Sequence, residues 1–415
     1  MNQRGAIDNP PRGEWLSAAE ASRALGVKRE TLYAYASRGL VRSAAASGGR
    51  RARLYHKDDV DRLKARSLAR SGHAAVAAGA LRWGEPVLET RIGTISDEGP
   101  RYRGRLAIEL ATSAASFEDI CALLWGLPVA PLESERFGVS VASLRALLRP
   151  NAEPFDGMLV AAAAFAAAEP RGEPIEIARA RAPSLVRRLV AACALPRGAE
   201  AVTASLEAGG TARALLVALG GRTTKASVAA IDEALVLSAD HELNASTFSA
   251  RVAASAQASL AASITAALCA LSGPLHGAAT ARVEAFVAEV DRPERAAEIV
   301  AGRLERGESV PGYGHPLYPD GDPRGARLIE VARKIAPKAR AVRILTAVTS
   351  AMALAARERP TIDVGLVALA GALGLGRGSP LAIFASGRLA GLVAHALEQR
   401  EAGFMLRPRA RYVGV

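Results

Sequence analysis

Three of the chain's six histidines lie in polar or Gly/Pro-framed stretches: Asp240-His241-Glu242-Leu243-Asn244-Ala245-Ser246-Thr247, Gly273-Pro274-Leu275-His276-Gly277 and Pro311-Gly312-Tyr313-Gly314-His315. A carboxylate follows in Pro360-Thr361-Ile362-Asp363. Arginines stand in Asp322-Pro323-Arg324, Gly387-Arg388 and Arg407-Pro408-Arg409. Planar guanidinium forks suit carboxylate ligands better than lysine does. A neutral imidazole can donate a hydrogen bond to a carbonyl oxygen on which charge develops. A carboxylate of ordinary pKa, near ~3.9, is a poor base toward carbon unless such a donor is in place. Taken singly, these residues have plainer readings. His241 fits a helix N-terminus bonded to a neighbouring carboxylate, Asp363 fits a cap or turn, and a lone Arg388 or Arg407 fits the surface.

Other chemistries fail on spacing. His241-Glu242 is not followed by the second histidine of a zinc-binding HExxH helix. Gly374-Leu375-Gly376-Arg377-Gly378 lacks the strand context and third-glycine spacing of a dinucleotide loop, and reads as a plain loop. Neither a Walker A sequence nor a G-x-S-x-G elbow is present. Cys121, Cys193 and Cys269 are far apart, without CxxC spacing, and read as small buried hydrophobes in a reducing compartment. No metal ligand set and no redox cofactor are expected.

The elements that must position these residues are mainly helical. The chain has 415 residues, half of them apolar, enough for two or three domains of roughly 100 to 200 residues. Aromatics make up only 4% and alanine is abundant, which favours close-packed helices over a β-sandwich. Short β-branched runs with Gly turns between Glu89 and Arg105 predict a small β-element. Helical patterning then covers Phe117 to Trp125, Val139 to Leu147, Leu159 to Ala168, Ile177 to Leu195, Ala212 to Leu219 and Val228 to Ser238. No period of 20 to 50 residues marks a solenoid. Met1 to Gly13 is polar, without a signal-peptide core, and Met158 to Ala168 is shorter than the ~20 residues a bilayer requires. A soluble cytoplasmic protein with no membrane partner is the expectation.

The formal charge of +12 is uneven: residues 1 to 72 hold 15 Lys and Arg against 7 Asp and Glu, a net +8. A polyanionic partner for this segment follows. Ser17-Ala18-Ala19-Glu20 has capping-box spacing, Gly26 interrupts the helix it starts, and Lys28 to Ala36 predicts a second short helix ending near Gly39. Arg50, Arg51 and Arg53 precede Leu54-Tyr55, and Asp58 to Leu63 reads as a further helix. Over residues 14 to 66 this order resembles the winged helix-turn-helix of MerR and excisionase proteins. That resemblance makes Lys28, Arg29, Thr31, Tyr35, Arg50, Arg51 and Arg53 candidates for contact with duplex DNA. The plainer alternative is a helical appendage with a solvated basic face.

From residue 82 to 415 the chain resembles citrate synthases. The resemblance rests on the three histidine stretches, Asp363 and the arginines in this order, together with Tyr102-Arg103-Gly104 and Leu123-Leu124-Trp125-Gly126-Leu127-Pro128. It implies a nearly all-helical fold: a large domain over 82–277 and 369–415, a small domain over 278–368, and an active site in the cleft between them. A winged module over 1–70 and a linker over 71–81 would come first. By the same resemblance the reaction joins acetyl-CoA to oxaloacetate, with no cofactor beyond the CoA thioester used as substrate. Asp363 would be the base, His276 the donor to the thioester oxygen, and His315 the group that polarises the ketone. His241, Arg324, Arg388 and Arg407 would bind oxaloacetate, Arg407 across a homodimer in the neighbouring subunit's site. His395, in Ala394-His395-Ala396-Leu397-Glu398-Gln399, also fits the family and reads as structural, while His56 and His73 belong to the basic module and linker.

Three departures touch the cleft. Pro316-Leu317-Tyr318-Pro319-Asp320-Gly321 lacks the basic residue common after the family's third histidine. His276-Gly277-Ala278-Ala279-Thr280-Ala281 lacks the Asn-Glu pair common after the family's histidine, and Val364-Gly365 replaces an aromatic pair. Two alternatives therefore stand beside citrate synthesis. One is 2-methylcitrate synthesis from propionyl-CoA, and the other is a DNA-binding regulator that senses acyl-CoA or oxaloacetate.

Overall fold

The computed structural model describes residues 15–45, 53–70, 88–113, 115–128, 136–170, 172–356, 358–410, 412 and 414. They fall into two compact units, Met1–Glu89 and Thr90–Val415.

In the first unit, strand Trp15–Ser17 leads into helix Ala18–Leu25. The capping box forms: the Glu20 amide donates to Ser17 Oγ at 3.3 Å, and the Ser17 amide donates to Glu20 Oε2 at 2.8 Å. Gly26 takes the left-handed conformation (φ 66°) that ends the helix, and helix Arg29–Ser37 follows with Lys28 at its N-cap. Strands Ser43–Ala45 and Arg53–His56 form an antiparallel hairpin, and Trp15–Ser17 adds to the other side of Arg53–His56. Ala21, Leu32, Val41, Tyr55 and Val60 make a small separate core. The last helix, Lys57–Arg70, outruns the expected Asp58 to Leu63. Arg42 pins it to the sheet through a hydrogen bond from Nε to Asp59 Oδ2 at 2.7 Å, which holds the Asp59 carboxyl down at about 2.

The second unit opens with the expected β-element, an antiparallel sheet of Gly93–Ser96, Gly99–Tyr102 and Arg105–Leu106. Helices follow throughout. The span expected to run from Ile177 to Leu195 is helix Ile175–Ala192 followed by a 3₁₀ turn at Leu195–Arg197. Helix Ala199–Glu207, which patterning did not mark, buries only Val202, Ser205 and Leu206, so its apolar stripe is short. At the centre lies Ser379–Ala402, a 24-residue helix buried on nearly every side. By length and composition it could cross a bilayer, but here it is wholly enclosed as a core helix. Trp125 fixes it from outside, its indole N–H donating to the Ala390 carbonyl at 2.9 Å.

Two apolar clusters make up this unit's core. The larger gathers residues from Ile92 to Leu397 around the central helix, and the smaller joins residues from Val283 to Ala368. Helices Pro323–Ile335 and Ile362–Ala372 belong to both. Leu328 and Val331 face the first cluster while Ile329 and Ala332 face the second, and Leu366 and Leu369 are divided in the same way from Val364 and Val367. The first turns of these two helices carry Arg324 and Asp363, which places both residues at the seam between the cores.

Candidate active site

Backbone geometry brings the distant motifs together. The Thr361 amide donates to Gly312 O at 2.8 Å and the Gly314 amide to Arg359 O at 3.1 Å, so the His315 loop pairs with the segment that enters the Asp363 helix. The Asp363 helix lies against the Arg324 helix at backbone contact. A Cβ on Gly325 would sit 2.2 Å from the Thr361 carbonyl oxygen, a separation no side chain tolerates. Asp322, buried, ties the two helix starts. Its Oδ1 accepts from the Arg324 amide and Nε at 3.0 and 2.9 Å, and its Oδ2 accepts from Arg324 Nη2 at 2.8 Å and from the Ile362 amide at 3.0 Å. A D-P-R sequence with an N-capping Asp could have revealed this role.

Six of the seven proposed catalytic and substrate residues form one continuous set of neighbours. His241 Nε2 lies 2.8 Å from the Tyr318 hydroxyl. The Tyr318 ring packs 5.0 Å from His315, and Arg324 Cζ stands 5.5 Å from the centroid of that same ring. Phe384 gathers a second group, with Arg388 Cζ 4.8 Å over its ring and His276 edge-on at 6.4 Å. This group meets the first through Ser246 and Asn244, whose Nδ2 donates to the His241 carbonyl at 3.4 Å. Asp363 belongs to the Arg324–Asp322 side, and its Oδ2 accepts from the Thr361 hydroxyl at 3.0 Å. Arg407 stands apart on an exposed tail, and no hydrogen bond or ion pair joins it to these residues among the described ones. Arg324 and Arg388 are fully buried, which overturns the plain surface reading of Arg388.

The environment sets the protonation states. Burial, followed by the Arg324 and Arg388 charges, holds His241 well below the usual histidine range. Burial and then Arg388 bring His276 down to about 4. His276 lies in a turn just before helix Ala279–Val290, whose N-cap is Ala278. Burial and Arg324 also lower His315, whose Nδ1 accepts the Leu317 amide at 3.1 Å. The ring's proton must then sit on Nε2. Burial raises Asp363 to about 6, more than the Thr361 hydrogen bond and Arg324 lower it. Burial brings Arg388 down to about 10, so it remains a cation at neutral pH, with Nε bonded to Ser238 O at 2.8 Å.

His276 Nε2 lies 2.8 Å from Ser246 Oγ, and Ser246 is 2.8 Å from Asn244 Oδ1. Asn244 Oδ1 already accepts the Thr247 amide, so the Ser246 proton points to Asn244 and His276 Nε2 donates to Ser246. Behind the site, Asp240 is a buried carboxylate 3.2 Å from His395 Nε2. His395 and Arg388 hold it below the usual carboxylate value despite burial. His395 thus has the structural placement read from the sequence, on the central helix and against the His241 loop. Tyr318, Ser246, Asn244, Asp322 and Thr361 are the site residues that motif reasoning did not mark.

In the first unit, Lys28 and Arg29 are exposed at the start of the second helix, and Thr31 is half-buried. Tyr35 packs against the small core, and the aromatic ring presented outward on that helix is Tyr33, 50% exposed. Arg53 is exposed, with Nη1 donating to Ser43 Oγ at 3.2 Å, while Arg50 and Arg51 lie outside the described residues.

Comparison with known proteins gives two matches to family models: the citrate synthase C-terminal domain over residues 80–409, and a helix-turn-helix domain over residues 15–67. Citrate synthase 2 of Bacillus subtilis is 31% identical over 351 residues, covering 78% of this chain and 92% of the relative. A 2-methylcitrate synthase of Mycobacterium tuberculosis is also 31% identical, covering 75% of this chain and 84% of the relative. Among solved structures, citrate synthase from the archaeon Thermoplasma acidophilum, in ternary complex with carboxymethyl coenzyme A and oxaloacetate, superposes with a TM-score of 0.68 at 25% identity, covering 80% of this chain and 94% of that one. Citrate synthase from Pyrobaculum aerophilum gives a TM-score of 0.67 at 27% identity, covering 80% and 91%.

Proposed function

Because the chain belongs to the citrate synthase family over residues 80–409 and carries a helix-turn-helix domain at residues 15–67, we propose that it condenses acetyl-CoA with oxaloacetate and water to citrate and free CoA. One observation carries the reading: a carboxyl raised to about 6, Asp363, belongs to the same set of neighbours as two neutral imidazoles and two buried arginines. Asp363 removes a proton from the carbon beside the thioester carbonyl, and His276 steadies the enol oxygen. The enol carbon attacks the ketone of oxaloacetate while His315 Nε2–H donates to the ketone oxygen, which becomes the new hydroxyl. Water then cleaves the thioester, releasing CoA as the thiol. For His276 Nδ1 to donate to the thioester, the ring proton moves from Nε2 to Nδ1 by exchange with solvent, and the Ser246 hydroxyl turns from Asn244 to donate to the freed Nε2. Arg324, Arg388 and His241 hold the dicarboxylate, and no metal or redox cofactor takes part.

The relative that makes 2-methylcitrate supports propionyl-CoA as a second acyl donor. One methylene is worth only ~1 to 3 kcal/mol of discrimination, so both thioesters are assigned as substrates with acetyl-CoA first. A purely ligand-sensing regulator would need no base, and the raised Asp363 weighs against it. The reading extends to a cytoplasmic homodimer, with Arg407 completing the neighbour's site, and to duplex DNA as the partner of residues 14–66. The test is thiol release with oxaloacetate plus acetyl-CoA or propionyl-CoA, against Asp363→Ala as background. Release above background from either thioester supports condensation and ranks the donors; release equal to the variant's with both thioesters would remove the reading.

A further inference from the structure

Tyr318 falls in the stretch that departs from the family pattern, yet it is 3% exposed and stands among three groups proposed to bind or polarise oxaloacetate. Its ring packs 5.7 Å from His241 and 5.0 Å from His315, its hydroxyl lies 2.8 Å from His241 Nε2, and the Arg324 guanidinium is 5.5 Å from its ring centroid. The turn that places it is rigid: the Tyr318 amide donates to His315 O and the Gly321 amide to Tyr318 O, both at 3.0 Å.

The proton between Tyr318 and His241 can be located. Among the described residues His241 Nε2 is the hydroxyl's hydrogen-bond partner. If Nε2–H donated to the hydroxyl, the phenol's own proton would have no acceptor in a buried site, which is costly. The opposite arrangement satisfies both groups: the phenol O–H donates to Nε2, and the imidazole proton sits on Nδ1. It also suits the ligand, because a dicarboxylate offers only acceptors and needs a donor facing it. Burial pushes the Tyr318 phenol up to about 12, so it remains a donor through the neutral range.

We infer that Tyr318 is a positioning residue that fixes His241 as its Nδ1–H tautomer and so turns a neutral histidine into a hydrogen-bond donor for the keto-dicarboxylate. The inference rests on the proposed function for the identity of the ligand. The tautomer itself does not depend on that function.

Tyr318→Phe keeps the ring that packs on His315 and under Arg324, and removes only the hydroxyl. The expected result is a KM for oxaloacetate higher by on the order of tenfold, the loss of one charge-assisted bond, with kcat and the acyl-CoA KM within about twofold of wild type. Imidazole 15N spectra of the ligand-free full chain, assigned by comparison with His241→Gln, should show a protonated Nδ1 at His241 that gives way to a mixed signal in Tyr318→Phe. A protonated Nε2 at His241 in the wild type, or an unchanged 15N pattern in the variant, would overturn the inference whether or not the protein turns over. Should the spectra behave as expected while wild type releases no thiol, the condensation reading falls and the tautomer assignment stands. A merely structural tyrosine would lower stability without separating the oxaloacetate KM from kcat.

Discussion

At Asp363, the proposed base, the same burial that raises the carboxyl also costs folding stability. The folded carboxyl titrates at about 6, whereas an unfolded aspartate titrates near ~3.9. Between those values the folded state binds more protons than the unfolded chain, so stability falls as pH rises from about 4 through about 6 and stays lower above that. Removing the charge should recover it. Asp363→Asn is expected to be more stable than wild type by about 2 kcal/mol at pH 7, after a discount for partial exposure, and nearly equal to it at pH 4. Turnover of the wild type should decline as pH drops below about 6, when the base is protonated, and should be absent from the variant. Urea unfolding at the two pH values and a pH–rate profile measure both effects. Equal stabilities at pH 7 would show that Asp363 does not bear the burial that raises it.

Helices carry the next level of argument, and the clearest case is Arg29–Ser37. It presents Lys28 and Arg29 at its start and Tyr33 outward, with its inner face on Leu32. If this end meets the phosphate backbone, Arg29→Ala should weaken binding of the full chain to unrelated duplexes by similar factors, and should lower the slope of log K against log salt by about 0.9. Fluorescence anisotropy across a salt series reads this directly. Salt-independent binding, or none for the wild type, would leave the module a packing appendage. Such a helix was legible beforehand because its signals are local: the Ser17–Glu20 box, Gly26, and apolar residues at helical spacing. Histidine motifs and Asp363 were legible for a different reason, since each lies in a short fixed context. What the chain does not show locally is a meeting of distant elements. Gly365 stands where the family pattern has an aromatic because a Cβ there would lie 2.7 Å from Leu328 Cβ and 2.9 Å from Gly325 O, so only glycine lets the Asp363 helix approach the Arg324 helix. Tyr318 escaped likewise, its partners His241 and Arg324 being set by the fold.

The whole molecule poses the question of where Arg407 acts. The central helix ends at Gly403 in a left-handed turn, φ 71°, and the tail is then pinned twice, by Gln399 Nε2 to Phe404 O at 3.2 Å and by the Leu406 amide to Ser255 Oγ at 3.0 Å. Beyond these anchors Arg407 is exposed, as are Phe404 and Met405 at 51% and 58%, while the six other site residues form their set without it. Service of Arg407 to a neighbouring subunit's site, as proposed, can be set against service to its own. Mixed dimers separate the two cases. Suppose Asp363→Ala and Arg407→Ala chains are each inactive alone and are unfolded and refolded together. If Arg407 serves the neighbour, one site of each mixed dimer combines an intact Asp363 with an Arg407 supplied by the Asp363→Ala chain, and that site works; the other site lacks both. If Arg407 serves its own chain, every site in the mixture lacks one residue and none works. Random pairing makes about half the dimers mixed, each with one working site of two, so recovery of roughly a quarter of wild-type thiol release is expected from the symmetry of a two-fold dimer. Activity no higher than that of either variant alone would place Arg407 outside the neighbour's site.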